Sequence, residues 1–236
     1  HFENTDKNKV FVAGFKTPPD NSYGIPHILE HCVLNGSRKF HCKEPFVELL
    51  KGSMQTFTNA MTYPDKTVYP VASTNDQDFF NLMDVYMDAV FFPNIYSNPD
   101  IFRQEGWHYE LSGPAADLNI KGVVYNEMEG AFSSPEQILF RSIRKNLLPD
   151  TIYSHESGGD PDVIPHLAYE EFIAFHKKYY HPSNCKILLY GDGKIEEQLA
   201  FLNEGFLDQF QRKEMHYGSW IQDNIQQKSS VELVYP

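Results

Sequence analysis

The chain has 236 residues, room for one large domain or two small ones, and 41% hydrophobic and 14% aromatic residues supply a core. A net charge of −12 at pH 7 argues against a nucleic-acid-binding or membrane-surface protein, which needs a phosphate-neutralising patch. Cys32, Cys42 and Cys185 form neither a CxxC nor a disulfide framework, which points to a reducing compartment, and no apolar run reaches membrane-spanning length.

The first nine residues are polar apart from Phe2, with no initiator Met and no targeting peptide, and the chain closes on a strand-like Val231–Pro236. Both ends read as cut from something longer. Lys9 to Lys16 is a strand by its β-branched and aromatic content. Turn residues from Thr17 to Gly24 lead into a helix over Tyr23 to Leu34, stopped by Asn35-Gly36. A second helix runs from Glu44 to Lys51. Gln55–Thr62 and Thr67–Ala72 read as two strands about the turn Tyr63-Pro64-Asp65-Lys66, with Pro70 restricting the second to an edge or irregular position. Ser73 to Asp76 caps a long amphipathic helix reaching Val90. A short helix over Asp100–Glu105, a strand over Trp107–Leu111, and helices over Lys121–Phe132 and from Pro135 to Asn146 follow. A loop from Ser157 to Pro165 precedes a helix over Tyr169–Tyr179, a strand over Cys185–Tyr190 and a helix over Lys194–Gln209. Mixed strands, a hairpin and successive helices predict an α+β fold: a largely antiparallel sheet with helices packed mainly on one face.

The chemistry concentrates in Gly24-Ile25-Pro26-His27-Ile28-Leu29-Glu30-His31. Positions i and i+4 of a helix lie one above the other, so His27 and His31 can reach one metal ion. Glu30 borders the same face and can serve as a base toward water at that metal. The order His-x-x-Glu-His is the inverted zinc-protease motif. A solvated helix with two surface histidines is the bland alternative. The interleaved Ile25, Ile28, Leu29, Val33 and Leu34 argue instead for a helix that packs.

A catalytic zinc takes three protein ligands and keeps one position open. Two acids in Lys121–Phe132 compete to be the third. Glu127 shares its helix face with the small apolar Val123, Val124, Gly130 and Ala131, whereas Glu129 points toward Tyr125 and Phe132. A carboxylate on that apolar face is expected to be buried, and a divalent cation or a basic side chain from elsewhere would offset the cost. Cys32 reads as a small buried residue, since a fourth, thiolate ligand would close the site to water.

With these segments the chain resembles the pitrilysin-like (M16) zinc peptidases, closest to the presequence protease and falcilysin branch. The likeness includes Gly24–His31, Gly122–Glu127, Lys43–Ser53, Thr62–Thr67, Tyr69–Asn75, Gln104–Glu110, Ser157–Pro161 and His181–Asn184. It implies a processing-peptidase-like metalloenzyme fold in which His27, His31 and Glu127 bind one Zn²⁺ and Glu30 is the general base. It implies a peptide substrate added as a strand along Asn59, Ala60, Met61 and Thr62, and an apolar pocket at Leu34, Phe46 and Leu50 for the side chain before the cut. An ordinary structural strand is the lesser alternative for the edge segment, and core packing accounts for Leu34, Phe46 and Leu50 equally well. In such proteins the enzyme closes as two similar halves around a chamber, so residues 1–236 correspond to a single zinc-bearing N-terminal domain that needs the rest of its own chain. The resemblance also implies a cytoplasmic protein in bacteria or an organelle-matrix protein in eukaryotes. A non-catalytic scaffold of the same fold is the competing function; such relatives commonly lack part of the metal set, which is complete here.

Overall fold

In the computed structural model, residues 1–41, 45–217, 220–223 and 230–232 are described, with backbone alone at 45–47 and 50. The elements in chain order are β1 (Phe2–Glu3), β2 (Lys9–Lys16), α1 (Ile25–Val33), α2 (Pro45–Gly52), β3 (Gln55–Thr58), β4 (Met61–Thr62), β5 (Lys66–Ser73), α3 (Asp76–Phe91), α4 (Asp100–Glu105), β6 (His108–Glu110), β7 (Asn119–Lys121), α5 (Val123–Phe132), α6 (Pro135–Leu147), α7 (Tyr169–Tyr179), β8 (Cys185–Gly191) and α8 (Ile195–Gly205). The main sheet has the order β1-β8-β2-β5-β3, with β4 continuing the β3 edge along β5. All its pairings are antiparallel except β1 with β8. A separate small ladder joins β6 and β7.

β2 shows why one face carries the helices. Phe11, Ala13 and Phe15 are buried while the alternate Val10, Val12 and Gly14 are half-exposed, as period-two alternation demands. Phe15 stacks on Tyr180 and meets Tyr69 and Phe91 edge-on, binding the sheet to α3 and the end of α7. The buried hydroxyls of Tyr69 and Tyr180 pair at 2.8 Å. α1 lies in this layer, burying Ile25, Ile28, Leu29, Cys32 and Val33. The thiol of Cys32 donates to Ile101 O at 3.8 Å, in keeping with a structural residue, and burial pushes its pKa well up.

Several sequence expectations require correction. β5 is internal despite Pro70, lying between β2 and the β3/β4 edge. Pro70 O accepts from Asn59 N at 3.1 Å, so the missing proline donor also faces that edge and β2 loses no bond. The edge itself is interrupted at Asn59-Ala60, where Asn59 O accepts instead from Tyr86 Oη at 3.3 Å. β1 and β7 were not expected, being too short to show periodicity. The helix expected from Lys194 to Gln209 ends at Gly205 and resumes as a 3₁₀ turn at Leu207–Gln209. Val231 and Glu232 are not in a strand, and 233–236 lie outside the described residues, as does Cys42.

His176 on α7 is fully buried. Its Nε2–H donates to Val90 O at 3.0 Å and its Nδ1 accepts from Tyr96 Oη at 2.7 Å, fixing a neutral tautomer. Burial drives its pKa from 6.5 to about 4, against the opposing pull of the Val90 carbonyl. The native ring therefore stays neutral where the unfolded ring takes up a proton, so stability is complete above pH 6.5 and is lost as pH falls toward 4. The loss across that window is roughly 3 kcal/mol. Chemical denaturation between these pH values is expected to show a shallower pH slope for His176→Gln than for the wild type; equal slopes would remove His176 as the cause.

Candidate metal centre

α1 places its chemistry on the face away from the core. His27, Glu30, His31 and Leu34, at i, i+3, i+4 and i+7, are all partly exposed, while the opposite face is buried. The helix starts at Gly24, whose φ of 73° lies in the left-handed region. A Cβ on Gly24 would stand 2.7 Å from Gly159 Cα and 2.8 Å from Gly158 O. The loop is thus pressed backbone-to-backbone against the start of α1. Asp160 N donates to Ser22 O at 2.9 Å, and Arg141 and Arg144 of α6 hold Asp160 and Glu156 from the other side.

This contact orients the first imidazole. Gly158 O can only accept, so the 3.0 Å contact puts the proton of His27 on Nδ1 and leaves the Nε2 lone pair free. The second imidazole is treated alike. Glu105, nearly buried at the end of α4, accepts from His31 Nδ1 at 3.3 Å. Burial alone would lower the His31 pKa, but the Glu105 hydrogen bond and the charges of Glu127, Glu30 and Glu105 outweigh it and hold it above 6.5.

Both free Nε2 atoms converge on α5. Glu127 Oε2 lies 3.6 Å from His27 Nε2 and 3.6 Å from His31 Nε2. These separations are too long for good hydrogen bonds. They are close to the edge, about 3.3 Å, of a tetrahedron with ligand bonds of 2.0–2.1 Å. Two imidazole nitrogens and one carboxylate oxygen, all within 4.8 Å of one another, fit a zinc ion. Among the described residues the ion-pair partners of Glu127 are these two rings, with no lysine or arginine in their place. Glu129 is exposed and outside the cluster.

Glu127 is not buried as its helix face suggested: its side chain is 51% exposed. Val124 is the one buried residue of α5, and Gly130 and Ala131 face outward, so the small apolar stripe is not packed in this chain. Glu30 stands beside the triad, and its Oε2 accepts from Thr62 Oγ1 at 2.6 Å. A cleft of about 530 Å³ runs past His27, Glu30, Met61, Thr62, Met128 and Gly158. Asn59 is exposed at its sheet edge, Ala60 and Met61 are partly buried, and Leu34 packs partly against the core. The side chains of Phe46 and Leu50 lie outside the described residues.

Sequence reasoning assigned no role to Glu105 or Gly158, and it placed Thr62 on the peptide-binding edge without its hydroxyl's contact to Glu30. Glu105 and Gly158 fall inside segments that carried the resemblance, but their task depends on contacts 74 and 131 residues away in the chain.

Residues 10–105 match the family described as Insulinase (Peptidase family M16), and residues 166–233 match Peptidase M16 inactive domain. The chain belongs to the M16 peptidase family. It is 61% identical over 227 residues to protein HypA of Clostridium perfringens, covering 96% of this chain and 23% of that protein. Over 208 residues it is 58% identical to presequence protease 1, chloroplastic/mitochondrial, of Arabidopsis thaliana, covering 88% of this chain and 19% of that protein. The crystal structure of pitrilysin matches with a TM-score of 0.65 at 19% identity, over 94% of this chain and 23% of that one. The chain thus spans about a fifth of the length of the curated relatives it matches. In this M16 chain the first matched stretch holds both histidines, Glu30 and Glu105, while Glu127 falls between the two. Among the described residues no helix is long and apolar enough to cross a membrane.

Two substitutions test the frame around the triad by titration with Zn²⁺ or Co²⁺. Glu105→Gln is expected to weaken metal binding about 10- to 100-fold, the usual effect of losing an outer-shell carboxylate. Gly24→Ala should weaken it as well and cost at least about 1–2 kcal/mol of stability through left-handed strain. Unchanged affinity in both would separate ring orientation from metal binding.

Proposed function

We propose that this chain is the zinc-bearing domain of an endopeptidase for short unfolded peptides. The observation that carries the reading is the convergence of two Nε2 lone pairs and one carboxylate oxygen at metal-ligand spacing, with a second carboxylate, Glu30, beside them. His27, His31 and Glu127 would hold one Zn²⁺. Zinc, when bound, supplies a Lewis acid that brings the pKa of water near 7 and polarises a peptide carbonyl.

The remaining steps belong to the chain. Glu30 has one carboxylate oxygen occupied by Thr62, which leaves Oε1 to take the proton of the attacking water and return it to the leaving amine. The β3/β4 edge over Asn59, Ala60, Met61 and Thr62 offers outward main-chain groups to an extended peptide, a mode of recognition that tolerates many side-chain sequences. Leu34, with Phe46 and Leu50, is assigned to the pocket for the residue before the cut; Leu34 lies on the same face of α1 as the histidines, one turn beyond His31. The cleft is open, so the rest of the polypeptide is assigned the task of closing a chamber over it. The −12 charge favours basic peptides in that chamber.

In the full-length protein, Glu30→Gln should retain stoichiometric zinc and lose about 100-fold or more in turnover of a short fluorogenic peptide. Glu127→Ala should lose zinc, and Glu129→Ala should keep both zinc and turnover. Full activity in Glu30→Gln would remove the base from the mechanism.

A further inference from the structure

The edge strand holds a residue with two tasks. Asn59 N donates inward to Pro70 O, and Tyr63 N donates inward to Lys66 O at 2.8 Å. Backbone groups of a strand alternate sides, so Met61, opposite Val68, also faces β5. Ala60 and Thr62 then turn their N–H and C=O to the open edge. The N–H of Ala60 is already covered by Asn59 Oδ1 at 3.0 Å. Thr62 is therefore the residue of this segment that offers both an outward donor and an outward acceptor to an added strand.

Its side chain points to α1. The Oγ1 atom lies 2.6 Å from Glu30 Oε2 and 3.4 Å from Pro26 O. A hydroxyl has one proton, and the shorter contact to the carboxylate takes it. Glu30 is half-exposed in an open cleft, and among the described residues this is the hydrogen bond that fixes its carboxylate.

We propose that Thr62 is a positioning residue that couples peptide addition at the sheet edge to the placement of the Glu30 carboxylate. This rests on the peptidase reading above. A peptide bonded to the Thr62 main chain immobilises the strand, and the hydroxyl transmits that order to the base, leaving Oε1 aimed at the attacking water. An ordered base raises the rate of the chemical step without changing how tightly the peptide is held.

The test is steady-state hydrolysis of a short internally quenched fluorogenic peptide by the full-length protein, with zinc content measured on each sample. Thr62→Val keeps the shape and β-branching but removes the hydroxyl. It is expected to lower kcat about 10- to 100-fold, the range for losing a hydrogen bond to a charged group, with KM within about twofold and zinc unchanged. Thr62→Ser should restore kcat to within about threefold of wild type. Unchanged kcat in Thr62→Val, or a raised KM or lost zinc with kcat intact, overturns the coupling; so does a serine variant as slow as the valine one. A wild-type protein with zinc and no hydrolysis overturns the peptidase reading itself, which is a different result from an active wild type and an equally active valine variant.

Discussion

The site depends on where two ring protons are held. An imidazole can turn either nitrogen outward, and a two-histidine motif on a helix does not say which. Here a backbone carbonyl takes one Nδ1–H and a buried carboxylate the other, so both Nε2 lone pairs face the same point. The carbonyl is in place because Gly24 and Gly159 let two backbones meet where any Cβ would collide. The carboxylate is in place because α4 ends beside α1 with Glu105 turned inward. The arrangement of the candidate metal site is thus a consequence of packing remote from it in sequence.

Electrostatics reinforces the geometry. Glu30, Glu105 and Glu127 all act on His31, raising its pKa against the effect of burial. Such a concentration of carboxylates around two rings carries excess negative charge, and a divalent cation is the partner that relieves it. The wider net charge has the same sign, which makes this local need for a cation unsurprising. By contrast, His176 lies among a carbonyl, a phenol and aromatic rings and is kept neutral. Two histidines of one small protein are pushed in opposite directions by what packs on them.

Much of this was legible in the sequence, for reasons that can be stated. β2, α4 and α7 fall where patterning placed them, because each has a clear period and clear punctuation. Helical phase distinguished Glu127 from Glu129, and Glu127 is the acid that faces the two rings. The accompanying burial argument failed, because an apolar stripe tells which residues share a face and not whether anything covers it. Pro70 misled for a related reason: proline forbids a donor on one side of a strand, and whether that side is the sheet edge depends on register. Glu105 and Gly158 carry no signature of their own. Each acts through a contact made by tertiary structure, and a Glu or a Gly in those settings reads as ordinary surface or turn; the strand position of Thr62 was legible, its hydroxyl's contact with Glu30 was not.

The uneven exposure of the three proposed ligand side chains has a kinetic consequence for any ion they hold. Both histidines stand on a helix whose other face is core, while Glu127 arrives on a helix with one buried residue and stays open to solvent. Small chelators can approach from that side without any unfolding. An ion held in this way should exchange readily in the isolated chain, and stripping it should leave the hydrophobic layer standing, unlike small zinc modules whose folding free energy is the metal's own.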